Sequence, residues 1–166
     1  TAHPLWLGSD YDYYELTVGS RFYLQPFKEV DLVIASRLAA SWKFGDVPFF
    51  ALTTMQFTDQ YLNSLGGMRG YRDRRFMGNF TTLANLEIRY TFLSWKWGEQ
   101  LFSLSIAPFL DALSVFDSPA DFGFSDWRFG YGAGVRLAWN QSTIIRFDFG
   151  FSEEDFGFYL MIKQLY

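Results

Sequence analysis

Apolar and polar residues alternate with a period of two along most of the chain. That is the period of a β-strand whose faces meet different surroundings. Seven segments carry it. In the first, Tyr14, Leu16, Val18, Phe22 and Leu24 oppose Glu15, Thr17, Gly19, Arg21 and Gln25; in the second, Leu32, Ile34, Leu38, Ala40, Trp42 and Phe44 oppose Arg37, Ser41 and Lys43. The third sets Leu86, Ile88, Tyr90 and Phe92 against Asn85, Glu87, Arg89 and Thr91; the fourth sets Phe102, Leu104, Ile106 and Leu110 against Ser103, Ser105 and Asp111. The fifth is the most regular, with Trp127, Phe129, Tyr131, Ala133, Val135, Leu137 and Trp139 facing away from Arg128, Gly130, Gly132, Gly134, Arg136 and Asn140. The sixth places Ile145, Phe147, Phe149 and Phe151 opposite Arg146, Asp148, Gly150 and Ser152. The seventh puts Phe158, Leu160, Ile162 and Tyr166 on one face; its other face, Tyr159, Met161 and Lys163, is the least polar of the set.

Seven alternating strands predict an all-β, antiparallel protein, either a soluble barrel or a transmembrane one. A soluble barrel hides its apolar face and a membrane barrel inverts this. The apolar faces carry Phe, Trp, Tyr and Leu over nearly their full length, and Trp127 and Trp139 stand twelve residues apart. Such spacing suits aromatic girdles at two membrane interfaces. The polar faces carry small residues and charges of both signs, as a crowded, wet lumen would. Connection lengths alternate too. Links near 25–31, 95–100 and 139–142 are short, whereas 45–79 and 116–126 are long. Outer-membrane barrels have short periplasmic turns and longer extracellular loops, so the last strand is expected to end in the periplasm and the first to start outside. Residues 1–9 are too short and irregular to supply a convincing eighth strand. An odd strand count implies that upstream strands or another chain complete the barrel.

Composition sharpens this picture. Among 166 residues are 20 Phe, 10 Tyr and 6 Trp, yet mean hydropathy is only −0.02; many aromatics at average hydropathy require interleaving with polar residues. No run approaches the roughly 20 apolar residues of a spanning helix, and no basic segment followed by an apolar one opens the sequence as a signal peptide would. Cysteine is absent, which removes disulfides, thiol chemistry and Cys-based zinc sites. A net charge of −4 argues against nucleic acid as a partner. His3 is the sole histidine, which makes a Ser-His-Asp triad implausible. The acidic run Glu153-Glu154-Asp155 could bind a cation, but reads more simply as a solvated turn. No cofactor, metal site or enzymatic activity is expected.

The long loop contains Leu65-Gly66-Gly67-Met68-Arg69-Gly70-Tyr71. Gly-Gly frees the backbone for a tight fold-back, and Arg69 presents a planar fork of donors. Together with the flanking strands, this segment resembles the loop motif of the BamA/TamA superfamily of outer-membrane assembly factors and surface antigens, in which an Arg-Gly-Phe/Tyr tip folds into the barrel lumen. The resemblance runs from about Tyr14 to Tyr166. Leu86-Glu87-Ile88 is similar to the family's next strand, where an acidic residue faces the lumen. Phe109-Leu110-Asp111 is similar to a Phe-x-Asp-x-Gly pattern, with Leu113 in place of the final glycine. Five strands follow the loop, as in the family, and the terminal strand, with Phe158, Leu160, Ile162 and Tyr166, also fits.

The resemblance implies that residues 1–166 form the carboxyl-terminal part of a sixteen-strand transmembrane barrel in the bacterial outer membrane, with a lumen-folding loop at about 45–79. It implies protein insertion or translocation there, with lipid, lipopolysaccharide and unfolded β-barrel clients as partners. The alternative is a passive barrel that anchors or exports an attached domain, such as a patatin-like lipase. Upstream POTRA repeats would favour the first, a lipase domain the second. Glu87 and Asp111 fall on the polar faces of adjacent strands, so an inserted Arg69 would meet both carboxylates in charge-assisted hydrogen bonds. Otherwise each carboxylate is solvated in the lumen or pairs with Arg89 or Arg136.

Overall fold

A computed structural model describes residues 2–3, 11–52, 67–72, 75–140 and 143–162. Their strands are β1 (Ala2–His3), β2 (Tyr13–Leu24), β3 (Leu32–Gly45), β4 (Phe80–Trp97), β5 (Gln100–Phe116), β6 (Arg128–Trp139), β7 (Thr143–Phe151) and β8 (Phe156–Ile162). All pair antiparallel, each with its neighbour in sequence, in one sheet of order β1 to β8. Seven of these strands match the alternating segments. The eighth, β1, corrects the reading of the amino-terminal stretch: two residues suffice to pair Ala2 with Tyr14 and His3 with Tyr13.

Two strands are longer than their alternation suggested. β4 starts at Phe80 and runs to Trp97, leaving only Gly98 and Glu99 as the turn to β5. The register of β4 against β5 shifts between Thr91 and Leu93. Both Phe92 and Leu93 are exposed there, because a bulge inserts one residue and breaks strict alternation. Gly98 takes φ +62° in the turn. In β8, Phe156, Phe158, Leu160 and Ile162 are exposed while Tyr159 and Met161 are half-buried on the opposite face. Tyr166 lies outside the described residues.

The burial of the two faces is the reverse of a water-soluble fold. Val18, Leu38, Leu110, Val135, Phe149 and Leu160 are exposed, whereas Arg37, Glu87, Asp111, Arg136, Arg146 and Asp148 are buried. Aromatic residues gather near both ends of the apolar face. Trp95, Phe102 and Trp139 stack in a row with centroids 5.4 and 6.1 Å apart; towards the other end Phe80, Phe116 and Phe122 make a second row. The β5–β6 connection folds back over this face. Phe122 and Trp127 line one apolar cavity with Val18, Leu38, Ala40 and Ala84, and the Trp127 indole donates to the Gly123 carbonyl at 3.0 Å. Small residues on β3 and β4 make room for these rings.

On the polar face the segment 67–72 lies against the sheet. Met68 and Tyr71 pack with Ala39, Leu83 and Leu113 in an apolar cluster, with Phe76 and Val115 beside it. Leu113, the residue that departs from the family pattern, is fully buried there. Its side chain fills the space a glycine would leave under Met68 and Tyr71.

Candidate functional site

Next to that apolar cluster, the Arg69 side chain is wholly buried. Its Nε and Nη2 donate to the two oxygens of Asp111 at 2.7 and 2.8 Å, and its own backbone N–H adds a third bond at 3.1 Å. This two-pronged geometry is available to a guanidinium and not to an ammonium. Nη1 donates to Glu87 Oε2 at 3.2 Å and to Asp148 Oδ2 at 3.1 Å. The guanidinium carbon sits 3.2 Å from the centroid of the Phe109 ring, a cation–π contact. Phe109 and Asp111 are two apart on β5, so one strand supplies both the ring and the carboxylate.

More arginines surround the same acids. Glu87 accepts from Arg89 Nε at 2.8 Å and from Arg136 Nη2 at 3.1 Å. Asp148 accepts from Arg136 Nη1 and Arg146 Nη2. Asn85 donates to Asp111 Oδ1 at 2.8 Å. The two sequence alternatives for Glu87 therefore coexist: it meets Arg69 and also Arg89 and Arg136. Asp148 and Phe109 as direct contacts of Arg69 were not foreseen. Asp148 lies on β7, three strands from Glu87 on β4, which is about 14 Å in a flat sheet. One guanidinium nitrogen touches both, so the polar face curves inward around the loop.

The loop backbone is tied down as firmly as its side chain. Gly70 N–H donates to Tyr159 Oη at 2.8 Å, and Ser152 Oγ donates to the Gly70 carbonyl at 2.6 Å. Gly70 has φ +91°, and a Cβ there would stand 2.6 Å from the Phe151 backbone. Within the Gly66-Gly67-Met68-Arg69-Gly70 stretch, Gly70 takes the left-handed conformation; Gly66 lies outside the described residues. Gly130 marks the second close approach, because a Cβ on it would fall 2.0 Å from the Arg69 carbonyl oxygen.

Nearer solvent, Arg72 Nε pairs with Asp155 at 2.9 Å, and Arg75 pairs with both oxygens of Glu154 at 2.7 and 3.0 Å. Two members of the acidic run thus hold loop arginines. The Arg72 hydrogen bond, helped by the Phe156 N–H, keeps the Asp155 carboxyl below its usual pKa. A depressed carboxylate pKa contributes stability above the unfolded-state value, and that contribution disappears as pH falls through the folded-state value. Protection of the amides at residues 70–72 from hydrogen exchange, relative to their intrinsic rates at each pH, should therefore fall when the pH drops below about 4, the ordinary Asp range. In Asp155→Asn that acid step should be smaller.

No curated relative matches the chain. A model of the Omp85 superfamily domain matches residues 3–162, a span that contains β2 to β8, the Arg69 loop and the acids that hold it. The chain belongs to the Omp85 superfamily.

Proposed function

We propose that this chain is the carboxyl-terminal part of a BamA/TamA-type barrel, and that it takes part in inserting or translocating proteins at the bacterial outer membrane. The observation that carries the reading is the Arg69-Gly70-Tyr71 tip seated on Asp111 and Glu87. This is the contact expected of that family's lumen-folding loop at about 45–79. Superfamily membership supports an outer-membrane setting with lipid and client-protein contacts. The superfamily is non-catalytic, which supports a non-enzymatic role for this chain.

On this reading the exposed apolar face meets lipid and the charged face lines a lumen, as in other transmembrane barrels. From Trp127 to Trp139 is a rise of roughly 40 Å along a strand. At a tilt of about 40° this becomes roughly 30 Å across the bilayer, near the hydrocarbon thickness. Further strands, upstream or from another chain, would complete a barrel of sixteen. Spin labels at Ile106 and Ser105, adjacent on β5 with opposite faces, test the orientation. Ile106 should be relaxed by oxygen and Ser105 by a water-soluble nickel chelate; the reverse pattern would overturn the inverted barrel.

Assembly activity separates this reading from a passive anchor. The full-length protein in liposomes should speed the folding of a urea-unfolded outer-membrane barrel several-fold over empty liposomes, and Arg69→Ala should abolish the gain. A wild-type protein that folds into the liposomes yet gives no acceleration would point to anchoring.

A further inference from the structure

The β5–β6 connection lies over the outer, apolar face of the sheet. Thr82 and Ser114 have the parity of that face and stand opposite each other across β4 and β5, yet they are only 8% and 1% exposed. Leu86 and Leu110, an opposed pair farther down the same face, are 41% and 45% exposed. The cover is the connection itself. Ser114 Oγ donates to the Asp126 carbonyl at 3.0 Å, and the Phe122 ring packs against Phe116 and Trp127 with centroids 5.6 and 6.3 Å away. The connection also supplies partners for its own polar groups. The N–H groups of Asp121 and Phe122 donate to the Ser118 and Pro119 carbonyls, that of Ala120 to Ser118 Oγ, and the Trp127 indole to the Gly123 carbonyl. A segment lying against hydrocarbon needs such internal partners, because lipid offers none.

Between connection and sheet is the apolar cavity noted above, of about 290 Å³. Ala40 and Ala84 line it from the sheet, Phe122 and Trp127 from the connection. Val18 and Leu38, also in its wall, are exposed, so it opens onto the rest of the apolar face. Among the described residues no charged side chain lines it; the acids of the connection, Asp117, Asp121 and Asp126, are exposed and stand outside its wall. β3 and β4 are each paired along both edges here, so no further strand can add to them. A peptide would find neither an edge nor an ion to grip. A hydrocarbon chain needs neither, and it restores the dispersion contacts that the walls of an unfilled gap forfeit.

We propose that this cavity seats one acyl chain of an outer-leaflet lipid, held between the β5–β6 connection and the small residues of β3 and β4. Elsewhere a lipid chain touches the apolar face on one side; here it is touched on two. The depth suits the outer leaflet: Ala84 lies roughly 14 Å along β4 from Phe80 at the strand's start. Recognition is of the chain and not of the headgroup, since the wall carries no charge. The proposal rests on the reading that this face meets lipid and that the long connections are extracellular. It does not depend on whether the protein assembles clients or only anchors a domain.

Titration of phosphatidylcholine brominated on its acyl chains into the detergent-solubilised full-length protein tests the seat. The readout is quenching of Trp127, taken as the difference between wild type and Trp127→Phe. It should saturate near one lipid per chain, be reversed by unbrominated lipid, and be the same for brominated phosphatidylglycerol. Ala84→Leu fills the cavity from the sheet and should weaken this binding about five-fold or more. If that variant fails to assemble, Phe122→Ala, which removes a wall on the connection, should do the same. Quenching that only tracks the lipid's share of the micelle, or unchanged affinity in the variant that folds, would overturn the seat. So would a dimer in detergent that Ala84→Leu dissociates, which would assign this face to a second copy. The expected oxygen and nickel pattern at Ile106 and Ser105 without saturable quenching sinks the seat alone; the reversed pattern sinks the lipid-facing reading with it.

Discussion

Arg69→Ala is expected to be the most damaging single substitution in the described chain. It leaves Asp111 with only Asn85 and the backbone N–H of residue 69, and it leaves Glu87 and Asp148 with one cation fewer. Removing one partner of a buried ion cluster destabilises by roughly 3–5 kcal/mol where water is excluded, and by less where water reaches the partners left behind. Arg69→Lys should fall between wild type and alanine, because an ammonium cannot repeat the two-pronged contact with Asp111. Arg75→Ala should have little effect, since its pair with Glu154 is exposed and such pairs are weak. The measurement is the heat-modifiable electrophoretic shift and thermal unfolding of each full-length variant. Equal, mild losses for Arg69→Ala and Arg75→Ala would reduce Arg69 to an ordinary loop residue. Arg74, on the same loop, lies outside the described residues and serves as a second comparison.

Gly130→Ala should rival that loss, and its sign is diagnostic. Inside a strand, alanine normally improves on glycine by roughly 0.5–1 kcal/mol, because glycine gives up more conformational freedom. Here the new Cβ would stand 2.0 Å from the Arg69 carbonyl oxygen, far inside van der Waals contact. Either the loop lifts or β6 bends. If the loop lifts, Arg69 leaves its acids, and Gly130→Ala and Arg69→Ala remove the same interaction. The double variant should then be scarcely worse than either single one, a large departure from additivity. Protease cleavage within residues 67–72 should rise in both. A stabilised Gly130→Ala protein would mean that the loop does not rest on β6.

The seven main strands were legible because period-two alternation is a local signal and these strands are amphipathic along nearly their whole length. The signal failed where locality failed. Ala2–His3 is too short to show a period, so its pairing depends on β2 alone. The bulge at Thr91–Leu93 puts two consecutive apolar residues on one face, which alternation cannot express. At the site, parity placed Glu87 and Asp111 on the polar faces of neighbouring strands. Asp148 also had the right parity, but its contact with Arg69 requires the sheet to curve, a property of the whole sheet. Leu113 looked like a defect in the family's pattern and is the floor under Met68 and Tyr71. Phe122 and Trp127 read as a loop and a strand start; their seat over Ala40 and Ala84 is set by three strands remote in sequence.

Tyr159 and Ser152 hold the Gly70 backbone across 89 and 82 residues of sequence. Asp148 meets Arg69 across 79. The loop precedes β4 to β8 in the chain, yet its seat is built from residues on all five of those strands and on the turn before β8. Contacts of such long sequence separation form late, because the intervening chain must be ordered first. The loop can therefore lock only after the final hairpin is in place. Its buried arginine acts as a completion check: a sheet that stops short of β7 and β8 offers neither Asp148 nor Tyr159, and the loop stays open to proteases. Quality control in the cell envelope would thus meet an unfinished chain as one with an unseated loop.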